Sequence, residues 1–475
     1  MKNNSYDAVM ARKGEIIRQS VGIDYAPFEY GVLAFDFERM MKSTGYALPE
    51  IQAIQEETGV GHTALYELKN LTALARTLAP KGKGARIFIK DEAQNPSGSF
   101  KARRASVSVY QAQKLGYPGV LTATSGNYGA AVASQAAMRG LPCIVVQECY
   151  DGRGIGQPEI LEKARKCEAY GAEVLQLSVG PELFYQVLLL LEETGFFNAS
   201  LYTPFGIAGV ETLGAELVDD VRQRTARDPD AVVVTNAGGG NLTGTARGLR
   251  AAGATKTKII ASSVDLSGLH MASDGDFNRK SFTTGHTGFG VPFATNPDRS
   301  DVPRSAGRPL RYMDRYVTVA QGSVFYITQA LAQLEGLERG PAGNTSLAAA
   351  FCLAQEMEED EVLVVQETEY TGAGKHQNAQ LSFARARGIE ILVGDPREEI
   401  PGKTIVLPRH PRDLFVRDLD LAALRASALK HQTVGKGHRW ITSKDRDYLM
   451  EETRLDQGAA DAVLKDLGVE VGGSL

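Results

Sequence analysis

Cysteine is scarce: Cys143, Cys149, Cys167 and Cys352 are the only four in 475 residues, and no Cys-x-x-Cys pair occurs. That usage indicates neither a zinc site nor a disulfide framework; no metal is expected, and a reducing cytoplasm is the expected setting. No apolar run approaches the ~18 residues needed to cross a bilayer, so no membrane span is expected. The opening Met1-Lys2-Asn3-Asn4-Ser5-Tyr6-Asp7 lacks the apolar core of a signal peptide. Positive charge is not in excess either. The 52 Lys and Arg face 57 Asp and Glu, a formal net charge of −5, which argues against a nucleic-acid binder, where a basic stripe would be expected. Repeats and low-complexity tracts are absent, and tryptophan occurs once, at Trp440.

What is present is a chain 43% hydrophobic and 23% charged, able to bury more than one core and long enough for roughly two to three domains. Its organising stretch is Asn95-Pro96-Ser97-Gly98-Ser99-Phe100-Lys101-Ala102-Arg103-Arg104, between an apolar strand at 86–90 and a helix-forming run from 102 to 114. Polar turn residues, then Ser99-Phe100-Lys101, then helix formers place Lys101 in the first turn of a helix. The positive end of the helix dipole and partial desolvation both disfavour an ammonium there, leaving free amine able to condense with an aldehyde. A surface lysine that merely opens a helix is the competing reading.

Two further stretches supply what an aldehyde cofactor carrying a phosphate needs. Thr235-Asn236-Ala237-Gly238-Gly239-Gly240-Asn241-Leu242-Thr243-Gly244 follows the apolar run 231–234 and precedes a helix pattern. Three consecutive glycines let backbone N–H groups converge on an anion at a helix N-terminus. Thr122-Ala123-Thr124-Ser125-Gly126-Asn127-Tyr128-Gly129 likewise joins a strand to an alanine-rich helix. Its hydroxyls, amide and N–H groups suit a carboxylate or a phenolic oxygen. Either loop alone is a weak signal, since glycine-rich strand-to-helix turns occur throughout α/β folds.

In this chain order the three stretches resemble the signatures of fold-type II pyridoxal-phosphate (PLP) enzymes, the group of threonine synthase, serine dehydratase and the tryptophan synthase β chain. Threonine synthases show Gly-Ser-Phe-Lys and Thr-Ser-Gly-Asn motifs, matched at Gly98-Ser99-Phe100-Lys101 and Thr124-Ser125-Gly126-Asn127. Over nearly its whole length the chain resembles, more narrowly, the PLP-binding β subunits of 2-amino-4-oxopentanoate thiolases. The resemblance implies an α/β fold of the tryptophan synthase β type, with two doubly wound parallel-sheet domains and extensions at both ends. The expected division is a helical extension at 1–60, a large PLP-binding domain at 61–107 and 226–395, a small domain carrying the asparagine loop at 108–225, and a C-terminal extension at 396–475.

It further implies the roles of individual residues. Lys101 would hold PLP as a Schiff base and afterwards move a proton at the substrate Cα. Gly238, Gly239, Gly240, Asn241 and Leu242 would bind the phosphate through backbone N–H groups, and Asn127 the phenolic oxygen. Thr124, Ser125 and Gly126, with Tyr128 beside them, would hold the substrate carboxylate. Thr371, in the Thr371-Gly372 pair, would face the pyridine nitrogen; a hydroxyl there leaves that nitrogen largely unprotonated and tempers the ring. The implied reaction is thiolysis of 2-amino-4-oxopentanoate by coenzyme A to acetyl-CoA and D-alanine, in ornithine degradation. A small α subunit and a hetero-oligomer containing a dimer of this chain come with it. Tyr128 and Ala102 stand where threonine synthases carry threonine and aspartate, which puts phosphohomoserine chemistry in doubt. The alternatives are a threonine synthase-like β- or γ-replacing enzyme or ammonia-lyase and, from another class, a catalytically silent PLP-binding regulator.

Elsewhere, strand patterns at 120–123, 143–147 and 173–177 alternate with helix patterns at 126–138, 158–170 and 182–194, as in a parallel sheet. Phe28, Tyr30, Phe35, Phe37 and Met40 are spaced as buried anchors of the N-terminal extension. Trp440 is expected to pack the C-terminal tail against the body. The long polar insertion at 270–316 carries Arg299, Arg304, Arg308, Arg311 and Arg315. Ion pairing among these arginines and Asp298, Asp301 and Asp314 of the same insertion is one reading; contacts to coenzyme A phosphates or a partner subunit are the other. Cys143 and Cys149 border a strand end but read as structural thiols, so no cysteine nucleophile is assigned.

Overall fold

The computed structural model describes residues 3–124, 126–268, 273–286, 298–370 and 377–472. Its strands are β1 (Leu65–Glu67), β2 (Arg86–Asp91), β3 (Val120–Thr124), β4 (Cys143–Tyr150), β5 (Glu173–Ser178), β6 (Phe197–Asn198), β7 (Ala231–Thr235), β8 (Lys258–Val264), β9 (Arg315–Val319), β10 (Val362–Glu367), β11 (Glu390–Gly394), β12 (Thr404–Pro408), β13 (Arg417–Asp418), β14 (Trp440–Thr442) and β15 (Glu470–Gly472). A seven-stranded sheet runs β1-β2-β10-β7-β8-β9-β13, its five central strands parallel and its two edge strands antiparallel. A second sheet, β5-β4-β3-β6, is parallel throughout.

The central strands carry unbroken apolar stretches, Ile87-Phe88-Ile89, Val232-Val233-Val234 and Val362-Leu363-Val364-Val365, because both faces are covered. Ile87, Ile89, Val233 and Val365 enter one core, while their neighbours Phe88, Val232, Val234 and Val364 enter another on the opposite face. Side chains alternating across a strand make this division. Helices Gln321–Glu335 and Asn344–Ala354 cover the first face, and helix Gly240–Ala251 covers the second. Parallel order sends the chain out of β3, β7 and β10 at carboxyl ends, the edge where open α/β sheets bind ligands.

The terminal extensions share a core with the smaller sheet: Ile17, Phe35, Phe37 and Met40 pack with Val120, Val145, Ile441 and Leu449. Asp445 ties them together by accepting from the N–H groups of Leu33 at 2.7 Å and Ala34 at 2.8 Å. Two expected anchors do not serve. Tyr30 and Trp440 are both exposed; Trp440 lies on the short β14–β15 ribbon, where its ring lies over Gly472, and Tyr448 and Leu449 fill the core instead. The parallel pair β11–β12 straddles position 395, and β13 adds an edge to the large sheet. The stretch from 396 is therefore not separate from that sheet at its beginning.

All five arginines of the insertion are ion-paired within the chain. Arg299 pairs with Asp301, Arg304 with Glu29, Arg308 with Asp298 and Glu452, Arg311 with Glu452, and Arg315 with Asp418 and Glu356. Among the described residues, only Arg299 and Arg308 pair with acids of the insertion itself; Arg304, Arg311 and Arg315 pair with acids of other segments, so the pairing ties the insertion to the rest of the chain. No helix among the described residues is long and apolar enough to cross a membrane.

Candidate active site

The lysine loop is stitched to the carboxyl end of β10. Phe100 N–H donates to Thr368 O at 3.1 Å and Tyr370 N–H to Gly98 O at 2.8 Å. Gly98 has a left-handed φ of 75°, and a side chain there would run into the Tyr370 carbonyl. Ser97 is left-handed as well, with φ 67°, a conformation that costs a non-glycine residue about 1 kcal/mol or more and gathers at functional sites. Lys166 holds it there by donating to Ser97 O at 2.7 Å. The helix Lys101–Lys114 then begins at Lys101, as the sequence predicts.

The polar loop turns from β3 into helix Asn127–Met138. Thr124 Oγ1 accepts from the N–H groups of Gly126 at 2.9 Å and Gly129 at 3.1 Å. Its hydroxyl is thus occupied in shaping the loop, rather than left for the carboxylate expected there. Tyr128 is fully buried and lines the same space as Asn127. Ser125 and Thr371 lie outside the described residues.

The glycine loop leaves β7 and opens helix Gly240–Ala251. A β-carbon on Gly238 would strike the Tyr202 hydroxyl, one on Gly239 would strike Pro309, and one on Gly240 would strike Arg104 Nη2. Gly239 also has φ 81°. Side chains are excluded on three sides, so only backbone faces the space between. Leu242 sends its side chain into the sheet core and, unlike positions 238–241, does not line the cavity.

A cavity of about 590 Å³ unites these loops: Lys101, Thr124, Gly126, Asn127, Tyr128 and residues 238–241 all line it. It also brings in polar residues to which sequence reasoning assigned no role, among them Arg104, Glu148, Tyr202 and His286. Arg104 lay inside the organising stretch, and two adjacent arginines in a helix of alanine, serine and valine were a usable signal. Glu148, Tyr202 and His286 come from β4, a crossover and the insertion; only the fold brings them here. Burial raises the Glu148 carboxyl to about 7. Burial, with Lys163 and Lys101 nearby, lowers the His286 imidazole to about 3, so the ring is neutral, and Nδ1 donates to Thr284 O at 2.9 Å. Burial pushes the Cys143, Cys149 and Cys167 thiols up to about 12, which leaves them protonated and structural.

A lysine at a helix start, an anion cradle and a polar loop around one cavity define a phosphate-bearing aldehyde site on a doubly wound scaffold. The family model described as pyridoxal-phosphate dependent enzyme matches residues 56–368, and the chain belongs to that family. It is 65% identical over 466 residues, 98% of this chain and 99% of the other, to the 2-amino-4-ketopentanoate thiolase beta subunit of Acetoanaerobium sticklandii. The threonine synthase of Halalkalibacterium halodurans is 30% identical over 208 residues, 42% of this chain and 53% of that one. Maize serine racemase superposes with a TM-score of 0.53 at 20% identity, covering 70% of this chain and 98% of that one, a likeness of fold. The fold is thus that of the fold-type II PLP enzymes. The residues fit the cofactor: beside the side-chain-free cradle, Thr235 Oγ1, Asn241 Nδ2 and Arg104 Nε are buried polar atoms with no protein partner among the described residues.

Proposed function

We propose that this chain is the PLP-dependent subunit of a 2-amino-4-oxopentanoate thiolase. The observation that carries this is the 65% identity to a thiolase β subunit spanning 98% of the chain. In this reading 61–107 with 226–395 form the cofactor domain and 108–225 the smaller one. The chain works in the cytoplasm with a small α subunit, in a hetero-oligomer containing a dimer of this chain. The net reaction joins coenzyme A sulfur to the C4 carbonyl and breaks C3–C4. Acetyl-CoA leaves, and the electron pair left on C3 takes a proton to give alanine, here the D enantiomer, as a step of ornithine degradation.

When bound, PLP supplies an aldehyde for the amino group and a ring that withdraws electron density from the α and β carbons. Lys101 anchors that aldehyde and, once exchanged for the substrate amine, removes and returns the proton at Cα. The N–H groups of Gly238, Gly239, Gly240, Asn241 and Leu242 hold the phosphate at the helix N-terminus. Asn127 orients the phenolic oxygen, and Thr371 faces the ring nitrogen. Ser125, Gly126 and Tyr128 hold the substrate carboxylate, with Thr124 fixing their loop. The test mixes chain, α subunit, coenzyme A and the amino-oxo acid. Acetyl-CoA and alanine in equal amounts are expected; keto acid or ammonia without any need for coenzyme A would instead make the chain a lyase.

A further inference from the structure

Arg104 is fully buried, and among the described residues no carboxylate reaches it. Among the described residues, its Nη1 donates to Leu201 O at 3.3 Å and its Nε has no acceptor. The guanidinium is held over the rings of Phe100 and Tyr202, 5.5 and 5.8 Å from their centroids. It lines the cavity, and its Nη2 lies so close to Gly240 that no β-carbon could come between. Arg299, also over the Tyr202 ring, is neutralised by Asp301 at 2.8 Å; among the described residues Arg104 has no such counterion. A guanidinium stays protonated even when buried, so this is a fixed charge facing the anion cradle.

We infer that Arg104 is a ligand of the cofactor phosphate, adding a full positive charge to the partial one at the N-terminus of helix Gly240–Ala251. The inference rests on the PLP reading and on the phosphate lying in the cradle of residues 238–242. Two consequences follow from the chemistry. The phosphate is held as its dianion, and affinity for the phosphorylated aldehyde depends on a side chain that does nothing for the unphosphorylated one.

The test uses the full-length chain as wild type, Arg104→Met and Arg104→Lys, each freed of cofactor and titrated with pyridoxal phosphate and with pyridoxal. Losing a charge-assisted hydrogen bond should weaken pyridoxal phosphate binding roughly 10- to 100-fold in Arg104→Met, with pyridoxal unchanged and part of the loss recovered in Arg104→Lys. In ³¹P spectra the wild-type signal should stay flat, whereas that of Arg104→Met should move with pH near the ordinary second ionisation at about 6. Equal weakening of both aldehydes, unchanged pyridoxal phosphate affinity, or a rise confined to the KM of the amino acid would overturn the assignment. If Arg104→Met does not fold, inorganic phosphate decides with the wild-type apo chain and Arg104→Lys: it should raise the melting temperature of the first more than the second, and equal shifts overturn the assignment. A wild-type chain that takes up no pyridoxal phosphate would instead sink the underlying cofactor reading.

Discussion

Arg103 and Arg104 are neighbours on one helix, both buried, in opposite electrostatic settings. Arg103 donates to Glu92 at 2.7 and 2.8 Å and to Glu216 at 3.0 Å, and Lys90 grips the same Glu216 at 2.5 Å and Asp220 at 2.6 Å. Arg104, one residue on, meets two aromatic rings and a single carbonyl. Consecutive helical residues point about 100° apart, so one faces the scaffold and the other the cavity. Around Arg103 the buried charges are neutralised in place, because an unmatched one costs several kcal/mol. At the cavity the charge is left to be met by a ligand, and binding relieves the cost. Buried polar atoms with no partner among the described residues, such as Asn241 Nδ2 and Thr235 Oγ1, mark the same side.

The contrast is sharpest at Lys101. Lys101→Ala should lower acetyl-CoA formation about 10⁴-fold or more and abolish absorbance near ~420 nm, yet leave the urea midpoint near wild type. On the scaffold side, Arg103→Met should cost about 3–5 kcal/mol in urea unfolding, since it strands the buried Glu92. If Arg104→Met costs the apo chain as much, the two settings are not different in kind. Gly240→Ala forces a carbon onto Arg104 Nη2 and should weaken the cofactor roughly 10-fold or more in a binding titration, with little effect on amino-acid KM once saturated.

Acid offers a smaller test. Burial opposes ionisation of Glu216, but Arg103 and Lys90 outweigh it and hold the carboxyl at about 2 against an ordinary 4.5. The folded value lies below the unfolded one, so the stabilisation is complete above about pH 4.5 and is lost as pH falls toward 2. Glu216→Gln should flatten that arm of a plot of urea midpoint against pH. Least affected should be Cys149→Ala, whose kcat is expected within about 2-fold of wild type because a buried, protonated thiol performs no chemistry. A large loss there would move a cavity function onto the scaffold side.

Much of this division is written locally. The alternation of apolar runs with helix patterns placed β3, β4, β5 and β7 and the helices between them to within a few residues; β3, β4 and β7 are largely buried and carry apolar runs, whereas β5 is a mostly exposed edge strand. The lysine, polar and glycine loops were legible for a related reason: each needs a turn followed by a helix start, a signal confined to about ten residues. Tyr30 and Trp440 misled because aromatic side chains say that a surface is wanted, not which one. His286 and Glu148 reach the cavity through long-range packing and left no local mark. Arg104 was visible, but its difference from Arg103 depends on helical phase against a core that the sequence alone does not locate.

The central claim is that the Lys101 amine holds the cofactor aldehyde beside the glycine cradle. Reducing the PLP-loaded chain with borohydride and mapping the modified peptide by mass spectrometry tests it directly. A single phosphopyridoxyl group on Lys101 is the expected result. The same label on Lys163 or Lys166, which stand near the same loops, or no stable label at all, would contradict it.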